Sequence, residues 1–448
     1  MSETSQPDLD GAPGAFGRSR RRSLRRTAGL LKRFRWWLEA AGYELCESTL
    51  ALLPAATVAG WGEAIGDGCW RLLGSRRRTV RRNLRIAFAG EKTLAEIDAM
   101  TREVFRRSGA NLLSALRCVK IRQDELRRLV TVANPELMAE ILAADAGGAV
   151  GILPHMGNWE ALSQMFPLLV PDRPTGTIYR FIKNPMLDRR VKEARQRMGM
   201  VLFEKHSGPL EMAAFLRRRG WLGVLADQRV ERAGEIVPYF GRLTSCTPLP
   251  ALMARRTGAT IFGVSMRTTA PGHWRLKFHR LGDSTSSTTA CMRLLEEVIR
   301  ESPEDVFWLQ DRWRVRRDNP ASLSGRLPRD ATAAAWTRPR RALVWVRDPA
   351  RAPQLPKAAA GDLLWEYVLP AGNPAPAWLP AGACTHILDT ACADIPVLAK
   401  ALLAIDEAAA LPLEFVIVDK ECLAVQEACR KLDFSVIIPA SGQEAVAP

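Results

Sequence analysis

The sequence predicts an α/β protein: a sandwich of strands and helices, preceded by a basic helical region and followed by a second, smaller α/β unit. Three observations carry this prediction. Short apolar runs alternate with helix-like segments from Gly148 onward. The polar residues that stand out, His155, Arg180 and Asp227, each fall just past the end of such a run. A stretch rich in Pro, Ser, Ala and Arg, Asp318 to Arg340, separates this series from another set of strand-like runs. The boundaries read as a disordered basic tail over 1–33, a main domain over 34–317, a linker over 318–340 and a small α/β domain over 341–448.

The chain has 448 residues, a formal net charge of +16 and nine cysteines. Its length allows a large core with an appendage. The charge is concentrated: Arg18 to Arg35 holds nine Lys/Arg and Arg71 to Arg85 seven, with no acid in either. Such blocks seek a polyanion, namely anionic lipid, an acidic carrier protein or nucleic acid. The stacking aromatics of single-strand binders are not interleaved in a recognisable RNA or DNA motif, so nucleic acid ranks last. The cysteines are odd in number, scattered and without a Cys-x2-Cys pair, which reads as free thiols in a reducing compartment. No metal-ligand spacing and no glycine-rich phosphate loop stand out, so neither a metal nor a cofactor is expected.

At the N-terminus no apolar core with a cleavage site follows the basic residues, which argues against a signal peptide. Phe34-Arg35-Trp36-Trp37-Leu38 opens an apolar region through Trp70. Its longest charge-free run, Ser48 to Gly62, contains Pro54 and falls short of the ~20 residues of a spanning helix. Tryptophans beside arginines suit an interfacial anchor on anionic lipid, with a buried helical hairpin as the alternative. A helix is expected over Leu94 to Leu116.

Gly148 to Leu153 reads as a buried strand, and Ala161 to Phe166 as a helix. His155 therefore sits in a strand-to-helix turn, and Glu160 in the first helical turn. A carboxylate on one imidazole nitrogen fixes the tautomer and frees the other nitrogen to take a proton from a hydroxyl, so His155 and Glu160 are a candidate general base with its orienting acid. The helix N-terminus opposes imidazolium while the carboxylate favours it. Further strands are expected at Gly176–Tyr179, Val201–Phe203, Leu222–Ala226, Thr260–Met266 and Trp274–Arg280. Arg180 is placed to bind a phosphate or a developing oxyanion. Asp227 either closes the pocket by holding Arg180 or Arg229, or caps a helix. Asn184 and Asn158 are candidates for substrate contact, with turn initiation and helix capping as their alternatives.

His155-Met-Gly-Asn-Trp-Glu160 resembles the His-x4-Asp/Glu motif of acyltransferases, in the form typical of the bacterial lipid A biosynthesis (late, HtrB-type) acyltransferase family. Tyr179-Arg180 with Lys183 to Asp188, Asp227-Gln228-Arg229 with Val237 to Gly241, and Pro303 to Leu309 with Arg312-Trp313 resemble that family's further blocks in order. The likeness covers about Phe34 to Arg317. One departure is that Gln310-Asp311, and no histidine, precede Arg312. The resemblance implies an acyltransferase-type sandwich, an acyl carrier protein thioester (or acyl-CoA) as donor and a hydroxyl of a lipid A precursor as acceptor. A lyso-glycerolipid or aminolipid is the near alternative. It also implies work at the cytoplasmic face of the inner membrane. A lipid or thioester hydrolase and a non-catalytic binder of membrane or carrier protein are the other classes. In the second unit no motif is interpretable, and His386 has no visible partner.

Overall fold

The computed structural model describes residues 15–144, 148–204, 208–230, 234–282, 286–313, 337–355, 363–389 and 392–439, with side chains from Leu30 onward. A seven-stranded sheet forms from β1 (Val130–Val132), β2 (Ala149–Leu153), β3 (Thr175–Tyr179), β4 (Val201–Glu204), β5 (Trp221–Leu225), β8 (Thr260–Ala270) and β9 (His273–Arg280). The strand order is β1-β9-β8-β2-β5-β3-β4. Only β8 and β9 pair antiparallel. β6 (Glu235–Tyr239) and β7 (Arg242–Cys246) form a separate hairpin.

Helices cover both faces of the large sheet, which is why β2 is buried along its whole length. The side chains of Ala149 and Leu153 join a core under α6 (Pro135–Ala144) and α7 (Trp159–Leu169). Val150 points the other way, toward α9 (Pro209–Arg217) and α10 (Leu249–Thr257). Ile152 faces that side too, in a core with α11 (Thr288–Arg300), α3 (Gly74–Ala87) and α4 (Leu94–Cys118). This alternation is the period of two expected of a strand.

α1 (Ala15–Ala51) and α2 (Ala55–Leu72) open the chain. The tail expected without structure over 1–33 is thus helical from Ala15, while 1–14 lies outside the described residues. α2 packs on α4 through glycines: an added Cβ at Gly62 would lie 2.5 Å from the Ala110 Cα, and one at Gly66 only 2.1 Å from the Phe105 carbonyl oxygen. The opposite faces of α1 and α2 leave Leu31, Phe34, Trp37, Trp61 and Ile65 more than half exposed. Among the described residues no helix is long and apolar enough to cross a membrane. All nine cysteines are free thiols.

The expected linker falls mostly in 314–336, outside the described residues. Beyond it β10 (Arg340–Trp345), β11 (Leu363–Pro370), β12 (Cys384–Leu388), β13 (Leu413–Ile417) and β14 (Ser435–Ile437) form a parallel sheet in the order β12-β11-β10-β13-β14. α12 (Ile395–Glu407) and α13 (Leu423–Lys431) pack on it.

The second basic block, expected to seek a polyanion, finds carboxylates of its own chain. Arg81 reaches Glu407 at 2.7 Å, Arg82 reaches Glu414 at 3.3 Å, and Arg78 pairs with Asp433. Arg85 pairs with Asp406, both nearly inaccessible, and donates to the carbonyl oxygens of Asp406 and Ala409 at 2.8 and 2.9 Å. Arg242 of β7 pairs with buried Glu414. Removing one member of a buried pair strands the other charge, at a cost of ~3–5 kcal/mol. Asp406→Ala is therefore expected to destabilise the chain by about that amount in denaturant titration. A change within ~0.5 kcal/mol, the range of surface substitutions, would show that water satisfies Arg85.

Candidate active site

The turn after β2 carries His155 because the chain must reverse sharply between Leu153 and the start of α7. Gly157 makes this possible with φ of +57°, and a Cβ there would lie 2.3 Å from the Met266 carbonyl oxygen. Asn158 caps α7, its side chain accepting from the Ala161 amide at 3.2 Å while its own amide donates to the Cys118 sulfur at 3.4 Å. The closing block holds the turn from outside. The Gly157 amide donates to the Asp305 carbonyl oxygen at 2.9 Å, and the Phe307 amide to that of His155 at 2.8 Å. The Asp305 carboxylate is itself anchored by Arg107, Ser302 and both the amide and hydroxyl of Thr268.

The carboxylate that orients His155 is Asp227, not Glu160. β5 lies beside β2 with Leu225 opposite Leu153, so the residues just past both strand ends meet. Asp227 Oδ1 accepts from His155 Nδ1 at 2.7 Å, and Oδ2 accepts from the His155 backbone amide at 2.9 Å. With Nδ1 donating, Nε2 carries the lone pair, which accepts from the Gln228 amide at 3.1 Å. Burial disfavours the charged form of both groups. Their mutual attraction outweighs it, holding the imidazole above the ordinary histidine value of 6.5 and the Asp227 carboxyl below the ordinary aspartate range.

Glu160 turns instead to Arg195 on α8 (Pro185–Gln196), with Oε2 2.9 Å from Nε and Oε1 2.6 Å from Nη2. This bidentate pair satisfies the carboxylate in the plane it prefers, which is why it leaves the imidazole. Glu160 still adds negative potential at His155, partly cancelled by Arg195. Arg195 also lies 5.2 Å from the centroid of the Tyr179 ring. It was not singled out in the sequence, where it is one of several charges on α8, 35 residues from its partner.

Asn184 is committed to structure. Its side chain accepts from the Met186 and Leu187 amides at the start of α8 and donates to the Trp36 carbonyl and Glu39 carboxylate of α1. Arg180 stands exposed at the end of β3, with no partner among the described residues. Asp227 holds neither Arg180 nor a helix cap.

A pocket of about 650 Å³, open solvent at its mouth included, runs from Glu160, Arg195 and Trp159 to Trp221 and Phe262. Its floor is the sheet face carrying Gly151, Leu153, Thr177, Gly223 and Leu225, and its roof is Leu162, Ser163 and Phe166 of α7. Gly151 and Gly223 are opposite each other on β2 and β5; the Phe262 ring packs over Gly151, where a Cβ would lie 2.9 Å from it, and Gly223 leaves the space beside that ring open. The Trp159 ring lies 5.3 Å from that of His155 and 5.6 Å from that of Phe307, walling the mouth.

An imidazole with an anchored tautomer, beside an apolar pocket, suits deprotonation of a hydroxyl next to a bound hydrocarbon chain. The chain is similar to the phosphatidylinositol mannoside acyltransferase of Mycolicibacterium smegmatis, 31% identical over 181 residues that cover 38% of this chain and 59% of the relative. It is also similar to the protein of that name from Mycobacterium tuberculosis H37Rv, 28% identical over 176 residues, 37% of this chain and 54% of the relative. The matched stretch thus spans little more than half the length of these relatives. The family described as bacterial lipid A biosynthesis acyltransferase matches across residues 26–315, so both sides of the site lie within it, and the chain belongs to that family.

Proposed function

We propose that the protein is a membrane-surface O-acyltransferase that moves a fatty acyl chain from a thioester, on acyl carrier protein or coenzyme A, to a hydroxyl of a glycolipid. The observation that carries this reading is the Asp227-anchored His155 beside the apolar pocket. The lipid A precursors handled by the family and the phosphatidylinositol mannosides named for the relatives are both sugar-bearing lipids, and either class offers the required hydroxyl.

In the proposed reaction the acceptor hydroxyl displaces the Gln228 amide from His155 Nε2 and gives up its proton there. Its oxygen attacks the thioester carbonyl, the C–S bond breaks, and the imidazolium returns the proton to the leaving thiolate. Asp227 holds the ring and stabilises the imidazolium, with Glu160 contributing from further away. Arg180 is assigned to an anionic group of the donor or acceptor. The lipid mass profile of cells with and without the gene tests the function: a gain of one acyl unit in one glycolipid class supports it. Release of free fatty acid without an acylated lipid would replace it with a hydrolase.

His155→Ala is expected to lower transfer by ~10²–10⁴ with the fold intact, and Asp227→Asn by a comparable factor. Glu160→Gln should cost less. Because the base must be neutral, rate should rise with pH through an apparent pKa above 6.5. In Asp227→Asn that limb should move to lower pH, since the charge that holds the proton is gone. A Glu160→Gln protein more impaired than Asp227→Asn would return the orienting role to Glu160.

Acyl length is assigned to the pocket floor. A Cβ at Gly223 would meet Leu153 Cδ1 at 3.4 Å, the Gly176 carbonyl oxygen at 3.8 Å and Thr177 Oγ1 at 4.0 Å, all ordinary contacts, so a side chain there can point into the cavity without displacing backbone. Gly223→Leu should shift preference to shorter donors, by about fourfold per excluded methylene at ~0.8 kcal/mol each. An unchanged length profile in a folded variant would move the acyl site elsewhere.

Attachment to the membrane is assigned to the apolar face of α1 and α2 and to the cations of the first basic block. Binding to vesicles should require anionic lipid and weaken with salt. Phe34→Asp with Trp37→Asp should reduce it, whereas Arg78→Ala, whose partner is Asp433, should not. Equal sedimentation with neutral and anionic vesicles at all salt concentrations would remove the electrostatic part.

A further inference from the structure

Glu366, Cys384 and His386 stand together at the edge of the five-stranded sheet, outside the stretch 26–315 that matches the acyltransferase family. β11 and β12 run parallel with Glu366 opposite Cys384 and Val368 opposite His386. Residues two apart share a strand face, so Cys384 and His386 lie side by side. One donor atom from each of the three residues falls within 4.8 Å of the others. His386 Nε2 is 2.9 Å from Glu366 Oε2 and 3.9 Å from Cys384 Sγ.

A carboxylate–imidazole ion pair accounts for the first of those distances alone. It does not require a thiol facing the same ring nitrogen. Three such donors around one ion, at bond lengths of ~2.0–2.3 Å, stand roughly 3.3–3.7 Å from one another in a tetrahedron. The first two spacings bracket that range and the third, between Glu366 and Cys384, lies within 4.8 Å, so a movement of about an ångström shared among the three side chains would close the cage. Glu366 is already fixed for this. Buried Arg341 grips both its oxygens, at 2.5 and 3.0 Å, and is itself held by the carbonyl oxygens of Ile405, Asp406 and Leu411. Such an outer partner sets a ligating carboxylate in place. Cys384 is exposed and His386 partly so, which leaves a path from solvent.

We propose that Glu366, Cys384 and His386 form a binding site for a borderline divalent cation of the zinc class, with its fourth position open to water. Sulfur, nitrogen and one carboxylate oxygen select this class over calcium or magnesium, which take oxygen donors in larger number. The ion takes the place of the proton between Nε2 and Oε2 and ties β12, the edge strand, to β11.

The test uses the full chain, reduced, stripped with a chelator and titrated with Zn(II) or Co(II) alone. One equivalent of zinc should bind and raise the melting temperature. Cobalt should give a thiolate charge-transfer band with the visible spectrum of a tetrahedral ion. Cys384→Ser should remove the charge-transfer band, and His386→Ala should weaken zinc by more than the ~10–100-fold that loss of an outer partner costs. Thr385→Ala, between the two ligands and on the other strand face, should bind as the unaltered chain does. Melting of the metal-free variants shows that they are folded. Uptake below one equivalent, or a charge-transfer band that survives in Cys384→Ser and so comes from another cysteine, would overturn the assignment.

Discussion

The two hydrogen bonds that Asp227 accepts from His155 are the constraint on which the site depends. One fixes the ring and its tautomer, and the other fixes the backbone that carries the ring. Neither is possible unless β2 and β5 are neighbours in register, and the Ala226 amide, donating to the Leu153 carbonyl oxygen at 2.9 Å, keeps that register to the strand ends. The same pairing brings Gly151 and Gly223 together, so one adjacency places both the anchored imidazole and the cavity beside it. The opposite side of the turn is held by the segment 305–307, and its close approach to β8 admits only glycine at position 157. In the role proposed for it, an imidazole held from both sides would lose little freedom on taking a proton, which is what preorganisation contributes to rate.

Much of this was legible in the sequence, and the failures have one cause. The strands β2, β3, β5, β8 and β9 and the five strands of the second sheet follow from runs of apolar residues bounded by Gly, Pro and polar clusters. His155, Arg180 and Asp227 at strand ends follow from the same pattern. Which carboxylate meets His155 does not, because Asp227 is 72 residues away in the chain and Glu160 only five. Local spacing favours Glu160, whereas strand order, which no local pattern records, delivers Asp227. Arg195 stayed hidden among other cations for that reason. Asn158 and Asn184 stand in motifs beside the site, yet their side-chain oxygens accept from the amides of helix starts. His386 lacked a visible partner because Glu366 comes from the neighbouring strand.

The second basic block shows the same limit with respect to charge. A run of arginines without acids looks like a surface for a polyanion, and it is one, but the acids are Asp406, Glu407, Glu414 and Asp433 of the same chain. Buried arginine–carboxylate pairs offset their own desolvation only with good geometry and saturated hydrogen bonding. Arg85 comes close to this through three acceptors. Pairs of this kind contribute less to stability than to uniqueness, since a shifted interface would leave several charges buried and unpaired. They therefore fix how the second unit sits on α3.

Helix α1 joins the two proposals about lipid. Its inner side is tied to α8 by Glu47, which is fully buried and bound by Arg190 at 2.5 Å, and by Asn184 reaching the Trp36 carbonyl oxygen. α8 in turn carries Arg195, which pairs with Glu160 at the mouth of the pocket. Tyr43 of α1 senses the charges of both, its phenol pushed up to about 12 chiefly by burial. The outer side of the helix exposes Phe34, Trp37 and Leu45. A helix lying in the headgroup region with these residues down would bring the pocket mouth to within one helix diameter, about 10–12 Å, of the lipid. An acyl chain and a glycolipid hydroxyl could then reach the site without either leaving the interface entirely. For the lipid substrates proposed above, the cost of exposing a long chain to water, ~0.8 kcal/mol for each methylene, would favour that proximity.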